Sequence, residues 1–414
     1  MKKSNLLKKI FVTFFSSALA LSFFVSCNSQ VENKNVYSSP LVWRRSEPSI
    51  LKHTDQNYYL VYSYDYGSWA SLKIRSADKI NKFRYKNESE YTINFKNASS
   101  VGAYSYFFTP ELKFINGQWF LFFCESVSSS STWSQRPFVA KCDGFSPLTD
   151  SWTILGQVQA VKGEIFDSSE NIISSYALGP TVFYANGEWY FAWSQTITDG
   201  DDTWDLDGET GDNDNLTLQI GTDSSGNPIT QDFADLAKNS TKPTWQCIFI
   251  GKTSPDDFTK VTQATVISVP EYDWECGTSQ SHSDTDFGNV NYSPRFIIKG
   301  EKIFCVFSAG DMDESSCMGL LTANLSSELC NYSSWIKTSS SIFETSSEFN
   351  AYGPGSFSLT TDDDSDVMLY SARYYNGLYS SGTTTTTDSY KDINRALYAK
   401  QISWNADGSP NLRF

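Results

Sequence analysis

The residue types that most often carry catalysis are sparse in this chain. Its 414 residues include two histidines, His53 and His282, and eight cysteines. Two histidines exclude a histidine-rich metal site and leave little room for a Ser-His-Asp triad, and the lack of a CxxC pair argues against zinc. The 47 Asp and Glu residues remain as the groups for acid–base chemistry, and we expect neither a metal nor a cofactor.

The densest group of acids lies in segment 199–214, whose sequence is DGDDTWDLDGETGDND. Asp205, Asp207 and Asp214 fall at the spacings of a calcium-binding loop, but Thr203 occupies the position of the first ligand. We therefore expect a solvated acidic loop within a longer polar insertion, 198–243. A calcium site is the alternative interpretation of the same residues.

Five segments carry a resemblance to one enzyme family and occur in the family's order. They are RSEPSILKHTDQNYYLVYS (45–63), FFTPELKFINGQWFLFF (107–123), SVPEYDWECG (268–277), CMGLLTANLSSELCNYSSWIK (317–337) and NRALYAKQISWNADGSPNL (394–412). Together they resemble glycoside hydrolase family 43, the five-bladed arabinofuranosidase and xylosidase fold. The resemblance covers nearly the whole chain from Arg45 to Leu412.

The resemblance implies three catalytic positions, and two of them lack a carboxylate here. An inverting glycosidase needs a general base that activates water and a general acid that protonates the leaving oxygen; the family adds a third carboxylate that tunes the acid. These positions correspond to Glu47 for the base, Tyr292 for the acid and Gly179 for the tuning group. A phenol with a pKa near 10 donates its proton far more reluctantly than a carboxylic acid. The resemblance therefore predicts lost or strongly impaired hydrolysis.

Other acids offer ways in which activity could persist. Asp284 and Asp286 lie shortly before Tyr292, in a loop that could fold over a central channel. A Tyr292 nucleophile is a further alternative, although it requires a neighbouring base. Three more acids precede the third repeat described below, outside the position that the tuning group requires; they are Glu164, Asp167 and Glu170.

The resemblance also indicates residues that could bind a substrate. Phe108 stands where the family has a sugar-stacking tryptophan, and the alternative for it is a place in the core. Ser356 replaces a histidine beneath the site, and Arg395 is a pocket residue or half of a buried ion pair. Trp43 is a candidate pocket wall or a plain exposed or core aromatic. For Glu111 we expect a buried, hydrogen-bonded carboxylate.

The elements that position these residues recur five times along the chain. Each repeat opens with a turn, continues with bulky aromatic and β-branched residues, and ends at a small residue, which is typical of hairpin strands. The repeats predict an all-β, five-bladed β-propeller over 41–414, with 198–243 as a surface insertion. They are NYYLVYS (57–63), GQWFLFFCES (117–126), GEWYFAWSQ (187–195), GEKIFCVFSAG (300–310) and DVMLYSARYY (366–375).

Charge and the first residues indicate where the protein works. A formal net charge of −15 without a basic stripe excludes nucleic acid and disfavours anionic glycans and lipids. Four lysines precede the apolar run 10–25, and Cys27 follows it closely, as in a bacterial lipoprotein signal. We therefore expect a signal peptide over 1–26, a lipid on Cys27, a polar tether over 27–40 and a place in the cell envelope. An N-terminal transmembrane anchor is the alternative.

Two functions from different classes follow from these observations. The first is a membrane-anchored lipoprotein that recognises oligo- or polysaccharides of the arabinose or xylose type, with hydrolysis lost or strongly impaired. The second is an active inverting α-L-arabinofuranosidase or β-xylosidase with relocated carboxylates. A third, more general interpretation is a surface interaction protein that uses the propeller as a platform.

Membrane association through Cys27 is testable by substitution. Because Cys27 follows the apolar run so closely, we expect cleavage before it and lipidation of its thiol and amine. The Cys27→Ser variant should leave the membrane fraction on alkaline washing, whereas the unaltered chain should stay in it. Retention of the variant would instead indicate a spanning anchor.

Overall fold

The computed structural model describes most of the chain from Tyr37 to Phe414. Within that part, no helix combines the length and the apolarity that a bilayer span requires. The predicted signal 1–26, Cys27 and the acidic run 199–214 lie outside the described residues. The described ranges are 37–66, 69–85, 89–96, 106–128, 134–198, 217–222, 225–232, 244–276, 289–311, 313–381, 384–385 and 392–414.

Antiparallel strands form most of the regular structure. The first strand, β1 (Val42–Trp43), stands apart from the four-stranded sheet that follows it. That sheet, the first blade, consists of β2 (Ser46–Lys52), β3 (Tyr58–Tyr66), β4 (Trp69–Ala77) and β5 (Tyr91–Thr92). The second blade consists of β6 (Phe107–Ile115), β7 (Gln118–Ser126), β8 (Gln135–Cys142) and β9 (Trp152–Gln157).

The third blade has extra strands beside it and within its sequence. A short strand, β10 (Gln159–Ala160), pairs in parallel with the outermost strand of this blade, β16. The blade consists of β11 (Ala177–Ala185), β12 (Glu188–Thr198), β15 (Thr244–Ser254) and β16 (Asp257–Ser268). Between β12 and β15 in sequence lies a two-stranded ribbon, β13 (Thr217–Thr222) with β14 (Pro228–Asp232).

The last two blades complete a ring of five. The fourth consists of β17 (Asn289–Lys299), β18 (Lys302–Ala309), β19 (Cys317–Asn324) and β20 (Ile336–Lys337). The fifth consists of β21 (Tyr352–Asp362), β22 (Ser365–Arg373), β25 (Arg395–Gln401) and β1. Its neighbours in sequence are two ribbons, β23 (Tyr379–Ser381) with β24 (Thr384–Thr385), and β26 (Ser403–Trp404) with β27 (Pro410–Asn411).

The innermost strands enclose a central channel. Around the ring, β2 contacts β6, β6 contacts β11, β11 contacts β17, β17 contacts β21, and β21 returns to β2. The described helices are single turns of 3-10 helix at Ile80–Arg84, Ser168–Glu170, Asp273–Glu275 and Tyr332–Ser334. The predicted all-β, five-bladed β-propeller is confirmed.

The five sequence repeats are the second strands of the five blades, and their composition has a packing reason. Along β3, Val61 packs toward the second blade with Leu121, while Leu60 packs toward the fifth blade with Leu369. Successive side chains of a strand point to opposite faces, so a strand with a blade on each side needs apolar residues at every position. Five apolar clusters fill the five spaces between neighbouring blades in this way.

The ring closes where the start of the propeller meets its end. Strand β1 pairs antiparallel with β25, with Val42 opposite Leu397, and so supplies the outer strand of the fifth blade. Tyr37 is buried in the cluster between the fifth and first blades, and its hydroxyl donates to Asp362. Tyr37 therefore packs against the propeller, within the segment 27–40 that the sequence predicted as a polar tether.

Each innermost strand contains the same irregularity. Its pairing register shifts near the beginning of the strand, as in a β-bulge. At each shift one residue takes a positive φ, which side chains adopt at a cost of about 1–2 kcal/mol. These residues are Glu47 (57°), Thr109 (48°), Gly179 (66°), Ser293 (51°) and Ser356 (55°).

Hydrogen bonds between blades stabilise these bulges. A bulge leaves backbone N–H groups without a partner in the ladder, and a buried N–H requires one. Side chains of the adjacent innermost strand accept these bonds: Leu112 N donates to Ser49 Oγ (2.9 Å), Val182 N to Glu111 Oε2 (3.2 Å) and Ile50 N to Ser358 Oγ (3.0 Å). Glu111 is therefore the buried, hydrogen-bonded carboxylate that the sequence predicted.

The hairpin around the insertion gives a test of the fold. Strands β12 and β15 pair up to Thr198 opposite Thr244, so a two-residue turn can join them directly. Replacing 199–243 with Asn-Gly should change the melting temperature by less than about 4 °C, because long surface loops cost little to close. Thermal unfolding followed by circular dichroism measures this, and loss of the cooperative transition would show that the segment belongs to the core.

Candidate functional site

A small polar pocket lies beside the bulges of the first, fourth and fifth blades. Its volume is about 30 Å³, which is more than the roughly 10–15 Å³ that holds one water and far below the roughly 300–1,000 Å³ of typical small-molecule pockets. It contains four of the predicted site residues, Glu47, Tyr292, Ser356 and Arg395. The residues that line it are Ser46, Glu47, Tyr292, Ser316, Gly353, Gly355, Ser356, Ser371, Ala372, Arg373 and Arg395.

Glu47 supplies the one carboxylate among the described residues of the lining. Its backbone N–H donates to Ser371 Oγ (2.6 Å), so the fifth blade fixes the bulge that carries it. Its Oε2 accepts from Ser63 Oγ (2.6 Å) and from the backbone N–H of Thr109 (2.6 Å). Hydrogen bonds to a carboxylate stabilise its charged form, so this group is suited to accept hydrogen bonds from a ligand.

Tyr292 stands where the family resemblance places the general acid. Its ring is 7% exposed, and its hydroxyl lies 3.2 Å from Ser316 Oγ. Gly355 makes room for it, because a Cβ there would lie 3.3 Å from the Tyr292 hydroxyl. Burial raises the pKa of the Tyr292 phenol, and the Glu47 carboxylate adds to the increase, although Arg373 and Arg395 act against it. At neutral pH the phenol is a donor of hydrogen bonds and a very weak acid.

Two arginines give the pocket its positive charge. Arg373 and Arg395 lie opposite each other on β22 and β25. Arg373 Nε donates to Asp392 Oδ2 at 2.6 Å, in an ion pair that is almost completely buried. The sequence analysis identified Arg395 but missed Arg373, whose signal was an arginine at the end of the fifth aromatic repeat, beside the small residue Ala372.

Position 179, where the family resemblance places the tuning carboxylate, has no space for a side chain. Gly179 has a φ of 66°, and an added Cβ would overlap Ser293 Cα and lie 2.9 Å from Ser293 N. Its N–H donates to Thr109 Oγ1 at 3.1 Å, which holds the bulge in place. A carboxylate at this position would require the third and fourth blades to move apart.

The buried side chain of Arg295 lies beside these bulges. Its Nη1 donates to the carbonyl oxygens of Pro294 (2.8 Å) and Gly179 (3.3 Å), and its Nη2 donates to that of Pro110 (3.3 Å). Glu111 lies 3.9 Å from its Nε. This one buried guanidinium therefore ties the second, third and fourth blades together with hydrogen bonds to three carbonyl groups.

Two of the predicted binding residues lie outside the pocket lining. Phe108 is 2% exposed and packs against Leu178 and Tyr292, so its position favours the core interpretation over stacking on a sugar. Trp43 is 50% exposed, and its ring lies 4.7 Å from that of Tyr374. Its position corresponds to the exposed-aromatic interpretation that the sequence left open.

Of the alternative acids, those that the structure describes lie outside the pocket lining. Glu164, Asp167 and Glu170 are exposed beside β10, at the outer edge of the third blade, where Asp167 caps a 3-10 turn. Asp284 and Asp286 lie outside the described residues. In the described part of the chain, no three His, Cys, Asp or Glu side chains are grouped to hold a metal ion.

A pair of glycine variants tests how tightly the bulges pack. Gly187 also has a positive φ, 86°, but a Cβ there meets nothing within 4 Å, so Gly187→Ala should cost about 1–2 kcal/mol of unfolding free energy from backbone strain alone. Gly179→Ala should cost about 1–3 kcal/mol more, because the methyl group is forced into a filled space. Urea unfolding measures both, and equal losses would show that position 179 can accept a side chain.

Comparisons with known proteins show what this chain is similar to. A scan against models of known protein families finds no match. The chain is 31% identical over 381 residues to an extracellular exo-α-(1→5)-L-arabinofuranosidase of Streptomyces avermitilis, covering 91% of this chain and 63% of that protein. It is 28% identical over 404 residues to α-L-arabinofuranosidase 43 of Humicola insolens, covering 96% and 67%. The chain thus spans about two thirds of the length of these relatives.

Solved structures show the same fold. An α-L-arabinofuranosidase from Lactobacillus brevis superimposes with a TM-score of 0.67 at 26% identity, over 91% of this chain and 97% of that one. A thermostable family-43 glycoside hydrolase gives 0.59 at 15% identity, over 91% and 95%, and shares the fold. The motifs in family order and the bulged innermost strands that carry them agree with the resemblance to glycoside hydrolase family 43, whose fold this chain shares.

Proposed function

We propose that this protein binds glycans of the arabinose or xylose type and hydrolyses them very weakly or not at all. The observation that carries the proposal is Tyr292, a buried phenol at the position of the general acid. Protonation of the leaving oxygen contributes about 10²–10⁴-fold to the rate of such reactions. A phenol whose pKa burial has raised cannot supply that contribution near neutral pH.

The remaining carboxylate also differs in length from the residue of the family pattern. Glu47 is one methylene longer than the aspartate that the family has, and Ser63 and Thr109 hold its Oε2. A displacement of about 1 Å in a catalytic group can cost about a hundredfold in rate. Base and acid are therefore both impaired, whereas hydrogen bonding to sugar hydroxyls requires neither proton transfer nor this degree of alignment.

The ligand class rests on the relatives. The proteins from Streptomyces avermitilis and Humicola insolens are both named as arabinofuranosidases, and the former as an extracellular exo-α-(1→5)-L-arabinofuranosidase. Glu47, Ser356 and Arg395 offer the acceptors and donors that sugar hydroxyls need. The pocket is small, so we propose that the ligand contacts it from the channel mouth.

An extracytoplasmic place agrees with this ligand. The relative from Streptomyces avermitilis is named as extracellular, and the basic and apolar segment before Cys27 is typical of an exported lipoprotein. We propose that a lipid on Cys27 anchors the propeller to the bacterial cell envelope, where it meets glycans outside the cytoplasm.

An active arabinofuranosidase is the second candidate. The observation that favours it is the name shared by four relatives, each an arabinofuranosidase at 24–31% identity. It requires an acid other than Tyr292, and the acidic residues closest to Tyr292 in sequence are Asp284 and Asp286. Activity would then depend on a carboxylate from segment 277–288.

Hydrolysis assays separate the two candidates. We expect no turnover of aryl α-L-arabinofuranosides or aryl β-xylosides above a buffer blank from about pH 4 to pH 8, because no carboxylic acid occupies position 292. The same preparation should bind linear arabino-oligosaccharides or xylo-oligosaccharides in isothermal titration calorimetry, which shows that it is folded.

The control variants locate the acid if turnover appears. Hydrolysis that survives Tyr292→Phe but disappears in Asp284→Asn or Asp286→Asn would establish the second candidate. Hydrolysis lost in Tyr292→Phe would assign the proton transfer to the phenol itself. Absence of both turnover and glycan binding would contradict both candidates and favour the general interaction platform.

A further inference from the structure

Four aromatic residues form a shelf beside the pocket mouth. The shelf consists of Trp43, Tyr374, Tyr375 and Tyr379. The ring of Trp43 lies 4.7 Å from that of Tyr374, Tyr374 lies 5.0 Å from Tyr375, and Tyr375 lies 6.1 Å from Tyr379. Trp43 and Tyr375 are 50% and 57% exposed. Contiguous exposed rings of this kind mark a binding surface more often than a lone exposed aromatic does.

Buried polar residues hold the shelf in one conformation. Asn394 Nδ2 donates to the carbonyl oxygens of Tyr375 and Gly377, both at 2.7 Å, and Asn394 Oδ1 accepts from Tyr375 N at 3.1 Å. Asp392 Oδ1 accepts from Tyr379 N at 3.1 Å. Both polar side chains are buried, so the loop is ordered before any ligand arrives, which lowers the entropy cost of binding.

The shelf is continuous with the pocket through the backbone and through an ion pair. Tyr374 directly follows Arg373, and Trp43 lies opposite Ala396, the neighbour of Arg395. The Asp392 that holds Tyr379 also forms the buried ion pair with Arg373. The shelf and the pocket arginines are therefore connected parts of the fifth blade.

We propose that this shelf binds the sugars of a neutral polysaccharide chain beyond the unit that meets the pocket. The inference rests on the proposed function and assigns it a second, larger contact area. One face of a sugar ring presents C–H groups that pack on an aromatic ring, while its edges carry hydroxyls that tyrosine hydroxyls can bond. Because the protein carries a net charge of −15, a neutral chain is favoured over an anionic one.

The shelf also explains how so small a pocket can belong to a glycan-binding protein. Because the pocket is small, most of the contact area with a glycan must lie outside it. Rigid aromatic surfaces supply contact area at a low entropy cost. Affinity should therefore depend on the length of the chain, because a single sugar can occupy the mouth or one ring but not all of them.

Titration with linear α-1,5-arabino-oligosaccharides of increasing length tests the shelf. Affinity should rise with length by at least about tenfold and then level off once the rings are covered. Trp43→Ala and Tyr375→Ala should each weaken binding of the long oligosaccharides by about tenfold and leave arabinose binding unchanged. Tyr375→Phe, which keeps the ring, should retain most of the affinity.

The matched control is Tyr184, which is 54% exposed and contacts Trp189 with a centroid distance of 5.4 Å. It lies at the far end of β11 from Gly179, so Tyr184→Ala should bind like the unaltered protein. Equal affinity of Trp43→Ala, Tyr375→Ala and the unaltered protein for long oligosaccharides would overturn the shelf and leave the proposed function standing. Failure of the unaltered protein to bind any arabino- or xylo-oligosaccharide would overturn both.

Discussion

The positive-φ bulge at the start of each innermost strand is the constraint on which the rest of the structure depends. It gives one residue of each innermost strand a positive φ. It also leaves backbone N–H groups that donate to side chains of a neighbouring blade. Bonds between blades, such as those from Leu112 to Ser49 and from Val182 to Glu111, therefore fix the angle between blades as well as the bulges. Arg295 adds hydrogen bonds to three carbonyl groups at the same level. Site geometry and ring closure thus depend on the same contacts.

This shared dependence limits which side chains the site can accept. Positions 47 and 356 carry side chains at positive φ because space lies before them, whereas Gly179 lies against the backbone of Ser293. Tyr292 fits because Gly355 leaves room for its hydroxyl and Ser316 accepts or donates a hydrogen bond. The pocket is consequently small, which agrees with the proposed binding of the ligand from the channel mouth.

The sequence predicted the blades better than the site because the two kinds of signal differ in range. A second strand such as β3 is apolar on both faces, and this local pattern is visible without knowledge of its neighbours. The bulges leave a weaker mark, a proline after the positive-φ residue in four innermost strands, as at Glu47-Pro48 and Gly179-Pro180. The ion pair between Arg373 and Asp392 joins residues across a loop, and no local pattern reports such a contact. The core position of Phe108 likewise depends on side chains from other blades.

The absence of carboxylates at both 179 and 292 is consistent with the way the site is packed. Burial raises the pKa of the group at position 292, and Glu47 adds to this effect, whereas Arg373 and Arg395 oppose it. A charge at this buried position carries a desolvation cost, which a neutral phenol that bonds to Ser316 avoids. Position 179 leaves no space for a second carboxylate, because an added Cβ would overlap the backbone of Ser293. Tyr292 and Gly179 are thus physically consistent with each other and with the proposed weak or absent hydrolysis.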